Sequence, residues 1–128
     1  MFYTFSSQQE RQKEGGTAFV EIQYCRLPRG SDIKTLVSVD SICNWRDDSL
    51  YIKDENLFYT EYSHIFDQGV YNNLQKGVVD IYGINYYGPQ TIPAITEKLY
   101  RTKPAGYRKL AQWLEQAGKY NGFYILGL

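Results

Sequence analysis

Between Gly77 and Leu128 two apolar extended runs bracket two helical periods, and this succession constrains the fold more than any other feature. In Gly77–Tyr87 (GVVDIYGINYY), Val78, Val79, Ile81, Tyr82, Ile84, Tyr86 and Tyr87 give the β-branched and aromatic density of a strand. Pro89 stops it, because proline offers no N–H to a sheet ladder and holds its predecessor extended. Thr91 is then placed to cap a helix with Pro93 in its first turn, and Ile92, Ile95 and Leu99 recur at helical spacing. After Pro104 a second helix is expected. Tyr107, Leu110, Ala111, Leu114 and Ala117 form its apolar face, Lys109, Gln112 and Glu115 lie off it, and Gly118 is read as a left-handed C-cap. The closing Asn121–Leu128 (NGFYILGL) carries Phe123, Tyr124, Ile125 and Leu126, too much apolar surface for a fraying tail, so it reads as a central strand. With a helix pair between them, the two strands are expected to be neighbours, running parallel through a right-handed crossover.

The upstream half reads as shorter pieces. Phe2, Tyr3 and Phe5 suggest a short edge strand, and Ser6–Gly16 an exposed loop or brief helix. Thr17–Leu27 alternates, with Ala18, Val20, Ile22 and Tyr24 toward the core and Phe19, Glu21, Gln23 and Cys25 on the other side. Pro28–Ser31 is a turn by composition. Leu36–Cys43 is a further strand candidate, and Leu50–Ile52 with Leu57–Tyr62 reads as a hairpin joined by Lys53–Asn56. Ser63–Lys76 fits either a helix broken at Gly69 or a short helix followed by a loop. With no repeat, linker or low-complexity tract, residues 1–128 read as a single α+β domain. The expected architecture is one mixed or antiparallel sheet of about five or six strands, with the two C-terminal helices packed on one face.

Formal net charge is zero over 128 residues, so no global field draws the chain to nucleic acid or an anionic membrane. No apolar run approaches the roughly 20 residues that span a bilayer. Met1–Phe5 followed by the polar Ser6–Glu14 does not read as a secretory leader, so a cytoplasmic protein is expected, with Cys25 and Cys43 reduced. His64 is the only histidine, and neither it nor the cysteines show metal-ligand spacing. Glycine-rich phosphate loops are missing, and the adjacent acids Asp47–Asp48 and Asp54–Glu55 read as solvated turn residues. No cofactor, metal or catalytic residue is assigned, and the chain is read as a binding protein rather than an enzyme.

Charge is unevenly distributed. From Asp32 to Asp67 eight acids face Lys34, Arg46 and Lys53, a net of minus five; from Lys98 to Lys119 six bases face Glu115, a net of plus five. Two ordinary solvated faces would account for this. The functional alternative is that the acidic stretch, interleaved with Trp45, Tyr51, Tyr59 and Tyr62, receives a basic partner, charge setting the encounter and aromatics the anchors. Most of the 13 tyrosines are expected at half-buried sheet positions, a few at such a surface.

In size, in α+β type, in the Asp47–Asp67 acidic-aromatic stretch and in the closing WLEQAGKYNGFYILGL, the chain resembles the small cytosolic immunity proteins that bacteria pair with toxins. The resemblance implies a stoichiometric inhibitor that covers a cognate toxin's active site, offering acids and aromatics to a basic cleft where the toxin is a nuclease. The surface expected to bind is Asp47, Asp48, Asp54, Glu55 and Glu61 for orientation, with Trp45, Tyr59 and Tyr62 as anchors. Two other readings stay open: a small enzyme using His64 with a carboxylate, and a nucleic-acid-binding module of the basic C-terminal helices.

Overall fold

A computed structural model describes residues 1–15, 19–43 and 45–127. Its elements are α1 (Gln8–Gly15), β1 (Val20–Tyr24), α2 (Ile33–Leu36), β2 (Leu50–Ile52), α3 (Glu55–Tyr62), β3 (Gly69–Tyr71), β4 (Lys76–Gly77), β5 (Ile84–Tyr87), α4 (Ile92–Thr102), α5 (Tyr107–Ala117) and β6 (Phe123–Leu126). The six strands form one sheet in the order β2-β1-β6-β5-β3-β4, every pairing antiparallel. This is the α+β architecture the sequence suggested, with α4 and α5 on one face.

β6 is central, as its apolar run required. Both its edges are paired, with β1 and with β5, and all four residues are buried. β5 is its neighbour but runs antiparallel, which corrects the expected crossover. A single helix would carry the chain to the far end of the sheet, whereas the helix pair brings it back to where β5 stopped, Tyr87 opposite Phe123. The turn into β6 needs a glycine: Gly122 has φ +78°, and a Cβ there would collide with the Tyr87 carbonyl. Gly118, the expected left-handed cap, instead has φ −65°.

The 77–87 run is not one strand. Between β4 and β5, Asp80 makes a turn: its Oδ1 accepts from Tyr82 N–H at 3.0 Å and its carbonyl from Gly83 N–H at 3.2 Å. The buried Asn85 amide clamps that turn, accepting from Asp80 N–H and donating to Asp80 O, both at 2.8 Å, and donating to Ile125 O in β6 at 2.9 Å.

The middle of the chain is more helical than its residue types suggest. Leu36–Cys43 is not a strand: α2 is followed by a 3-10 turn at Val39–Ser41, where Ser38 Oγ accepts from Asp40 N–H and Ser41 Oγ donates to Thr35 O. Leu57–Tyr62 is likewise no hairpin arm. Asp54 Oδ1 accepts from Leu57 N–H at 2.9 Å and starts α3, whose Phe58 and Tyr62 fall four apart on the buried side. Past α3, Gly69–Tyr71 pairs with β4 in a hairpin, where two helical readings were open. Of the expected Ser6–Gly16 loop or helix, Gln8–Gly15 takes the brief-helix form as α1 and Gly16 lies outside the described residues, and Phe2–Phe5 contributes an edge bridge, Tyr3 to Tyr51.

Both faces of β1 are buried. Val20, Ile22 and Tyr24 enter the helix-side core as expected, but Glu21, Gln23 and Cys25 are 5 %, 3 % and 0 % exposed. Phe5, Arg11, Leu36, Val37, Ile42 and Trp45 cover that second face, a tertiary cover that alternation within β1 does not reveal. Thr17 and Ala18 of that expected strand lie outside the described residues.

Candidate functional site

The expected binding residues divide between the two ends of β2. On the near side, Trp45 is half-buried against Phe5, Phe19 and Tyr51. Asp47 is exposed in a turn; Asp48 pairs with Arg26, and its carbonyl accepts from Trp113 Nε1 at 2.7 Å. These contacts hold the 45–49 turn to the body of the protein. On the far side, Asp54 caps α3, Glu55 and Glu61 are half-buried, and Tyr59 is 44 % exposed.

Tyr62 is corrected. It is fully buried, its ring stacks on Phe58 at 5.2 Å, and its hydroxyl donates to Ala105 O at 2.6 Å, tying α3 to the α4–α5 turn. Burial first, and the Glu61 charge second, push its phenol well above the ordinary range. It anchors the core.

The residues that complete the α3 face come from the β4–β5 connection. Val79, Asp80, Ile81 and Tyr82 line a groove of about 370 Å³ with Asn56, Tyr59 and Thr60 of α3. Tyr82 is 66 % exposed. Four of the 13 tyrosines are exposed in all, Tyr3, Tyr59, Tyr82 and Tyr100, and two of these four, Tyr59 and Tyr82, line this groove. Tyr3 is occupied by Lys53 Nζ over its ring at 4.9 Å. No base lines the groove among the described residues, and Lys53, the nearest in sequence to α3, is drawn to Glu14 at 3.1 Å. Beneath the connection, Tyr71 donates its hydroxyl to Val78 O; its phenol is raised by burial, then by the nearby Asp80 and Tyr59. A signal for this half of the site was present in the Asp80-x-x-Gly83 turn, masked by strand-forming neighbours.

A second polar cluster lies under the sheet. Glu21 Oε2 accepts from Ser49 Oγ at 2.7 Å and from Gln23 Nε2 at 2.8 Å, and Gln23 Nε2 also donates to Cys43 O at 2.8 Å. Tyr51 OH donates to Arg46 O at 2.9 Å. Burial raises the Glu21 carboxyl, opposed by these hydrogen bonds and by the Arg11 charge. The acid and its donors bond one another and the carbonyls of Cys43 and Arg46, which ties those carbonyls to β1 and β2.

His64 is exposed, with Nε2 3.4 Å from Thr102 Oγ1, and Asp67 is paired with Lys98 at 3.5 Å. Cys25 is buried with its thiol against Tyr124 OH at 3.4 Å; Cys43 is half-buried and also free. Among the described residues no group of three or more His, Cys, Asp or Glu is placed to hold a metal ion, and no helix is long and apolar enough to cross a membrane. Comparison with protein-family models, with curated proteins and with solved structures returns no match.

Proposed function

We propose that this chain is a cytoplasmic, stoichiometric protein-binding inhibitor of the immunity type, acting on a cognate bacterial toxin such as a nuclease. Its binding face is α3 with the Val78–Gly83 connection. The observation that carries this reading is that two exposed tyrosines line one groove, that no base lines it among the described residues, and that Asp54, Glu55 and Glu61 cap or belong to the helix on its edge. Exposed aromatics supply desolvated contact area, and unpaired acids steer a basic partner and fix its register. Occlusion needs no bond made or broken by this chain's own side chains. The turn holding Asp47 and Asp48 flanks the contact at most, since Asp48 is already paired with Arg26.

The test is titration against the purified product of an adjacent toxin-like reading frame. Activity should fall to zero at one equivalent. Charge reversal at Glu55 and Glu61 together should slow association about tenfold at low salt and flatten its salt dependence. Unchanged association and salt dependence in that variant would remove this face from the contact.

A further inference from the structure

Resting on the reading just given, we infer that the groove between α3 and the Val78–Gly83 connection receives one arginine side chain of the protein partner. Asp80 would meet the guanidinium, and Tyr59 and Tyr82 would enclose it.

Asp80 is an unusually well-fixed surface acid. Its backbone N–H and carbonyl are both held by the Asn85 amide at 2.8 Å, and Asn85 is 0 % exposed and bonded in turn to Ile125 O of the central strand. Oδ1 is held by Tyr82 N–H at 3.0 Å. Oδ2 has no hydrogen-bond partner among the described residues, and it lies against Gly83, where a Cβ would sit 2.7 Å from it. The carboxylate is thus oriented before a partner arrives, with one oxygen left for an incoming donor, which reduces the ordering that binding would otherwise require.

The walls suit a flat cation. Tyr59 and Tyr82 are exposed, and both line the groove; Val79 and Ile81 make an apolar floor for an aliphatic stem, and Asn56 and Thr60 supply polar edges. A guanidinium is planar, stacks on aromatic faces and presents several N–H groups in a fixed fork. A lysine ammonium is a compact, strongly hydrated point charge that gains less from such walls. A volume of about 370 Å³ admits a long side chain while leaving it open to the rest of the partner.

The experiment is an NMR titration of the intact protein with N-acetyl-arginine amide, with N-acetyl-lysine amide as control, following the Tyr59 and Tyr82 ring signals. The arginine probe should shift both rings in a saturable way and bind about fivefold more tightly than the lysine probe. Asp80→Asn, which keeps the Oδ1 acceptor for Tyr82 N–H, should weaken the arginine probe about tenfold with the melting temperature unchanged. Tyr82→Ala should abolish the preference for arginine. Shifts that are absent, that spread over the whole acidic surface, or that are equal for both probes and indifferent to Asp80→Asn would overturn the assignment. The outcomes separate from those of the inhibitor reading. If charge reversal at Glu55 and Glu61 slows toxin association while Asp80→Asn does not alter toxin binding, the groove assignment fails alone. If the arginine probe seats in the groove but no toxin is neutralised, the inhibitor reading fails alone.

Discussion

The two faces of the sheet are closed by different physics. On the helix side, Val20, Ile22, Leu50, Ile52, Phe123 and Ile125 meet Leu99, Leu110 and Leu114 in one continuous apolar cluster. Aromatic rings run through it: Tyr24 stacks on Trp113 at 3.9 Å, Trp113 meets Phe123 edge-on at 5.9 Å, Phe123 stacks on Tyr87 at 4.9 Å, and Tyr87 meets Phe66. The opposite side holds two separate clusters, one around Tyr124 and Leu36 and one of Phe5, Phe19 and Tyr51. Register places Glu21 and Gln23 between them, Glu21 opposite Tyr51 on one flank and Leu126 on the other. Burial of area holds the first face together. The second is closed around a buried acid by the hydrogen bonds that Ser49 and Gln23 give Glu21 and that Gln23 and Tyr51 give the Cys43 and Arg46 carbonyls, each costly to lose once its partner is buried.

The largest effect should come from the helix side. Phe123 is fully buried at the crossing of Tyr87, Phe66 and Trp113. Phe123→Ala should lower the unfolding free energy by about 3–5 kcal/mol, measured by urea denaturation. Against a total of roughly 5–15 kcal/mol, that leaves the domain marginal. A loss under about 1 kcal/mol would mean this face collapses freely around cavities and is no better packed than the other.

The second face should respond to pH. Burial holds the Glu21 carboxyl above its ordinary value of 4.5. The folded state therefore binds this proton more tightly than the unfolded chain does. Its contribution is fully favourable below 4.5 and is lost as pH rises through the raised folded value. Glu21→Gln removes that titration while keeping an acceptor for Ser49 and Gln23. The variant should gain stability on the parent protein as pH is raised from acid toward neutrality, then hold a constant difference. Denaturation profiles that stay parallel over that range would show that Glu21 does not titrate differently in the two states.

The contrast also explains what could be read from residues alone. β6 and α5 were legible because their apolar positions are satisfied by one face or one period, whatever the rest of the chain does. Leu50–Ile52 is the strand its residues suggested, but Leu36–Cys43 and Leu57–Tyr62 misled because Val, Ile and Tyr were weighed by strand preference, while single polar side chains decided the local structure. Ser38 opens the 3-10 turn and Asp54 caps α3, and the spacing of Phe58, Tyr62 and Phe66 by four was the outvoted signal. The burial of Glu21 and Gln23 depends on segments distant in sequence, which alternation within β1 cannot report. For the candidate site, Asp54, Glu55, Tyr59 and Glu61 stand close in sequence and so are legible by residue type, whereas the helix that presents them reads as a hairpin. The Asp80 turn stays in place through Asn85 and Ile125, which only the folded sheet brings together.

The smallest stability effect, and the sharpest form of the comparison, lies within α3 itself. Phe58 and Tyr59 are neighbours in sequence, one 0 % and the other 44 % exposed. Phe58→Ala removes a ring packed on Phe2, Tyr62 and Phe66 and belongs with the core truncations, at about 3–5 kcal/mol. Tyr59→Ala removes a ring whose outer face meets solvent, and its stability change should stay within about 0.5 kcal/mol. Partner binding should reverse the order, with Tyr59→Ala weakening it by about tenfold or more. In the Phe58 variant, any loss should follow the unfolded fraction alone, restored where temperature or a stabilising cosolvent restores the fold. Measuring both quantities on both variants separates a recognition helix from a structural one. If Tyr59→Ala destabilises the protein as much as it weakens binding, α3 has a single role, and its outward face belongs to the fold.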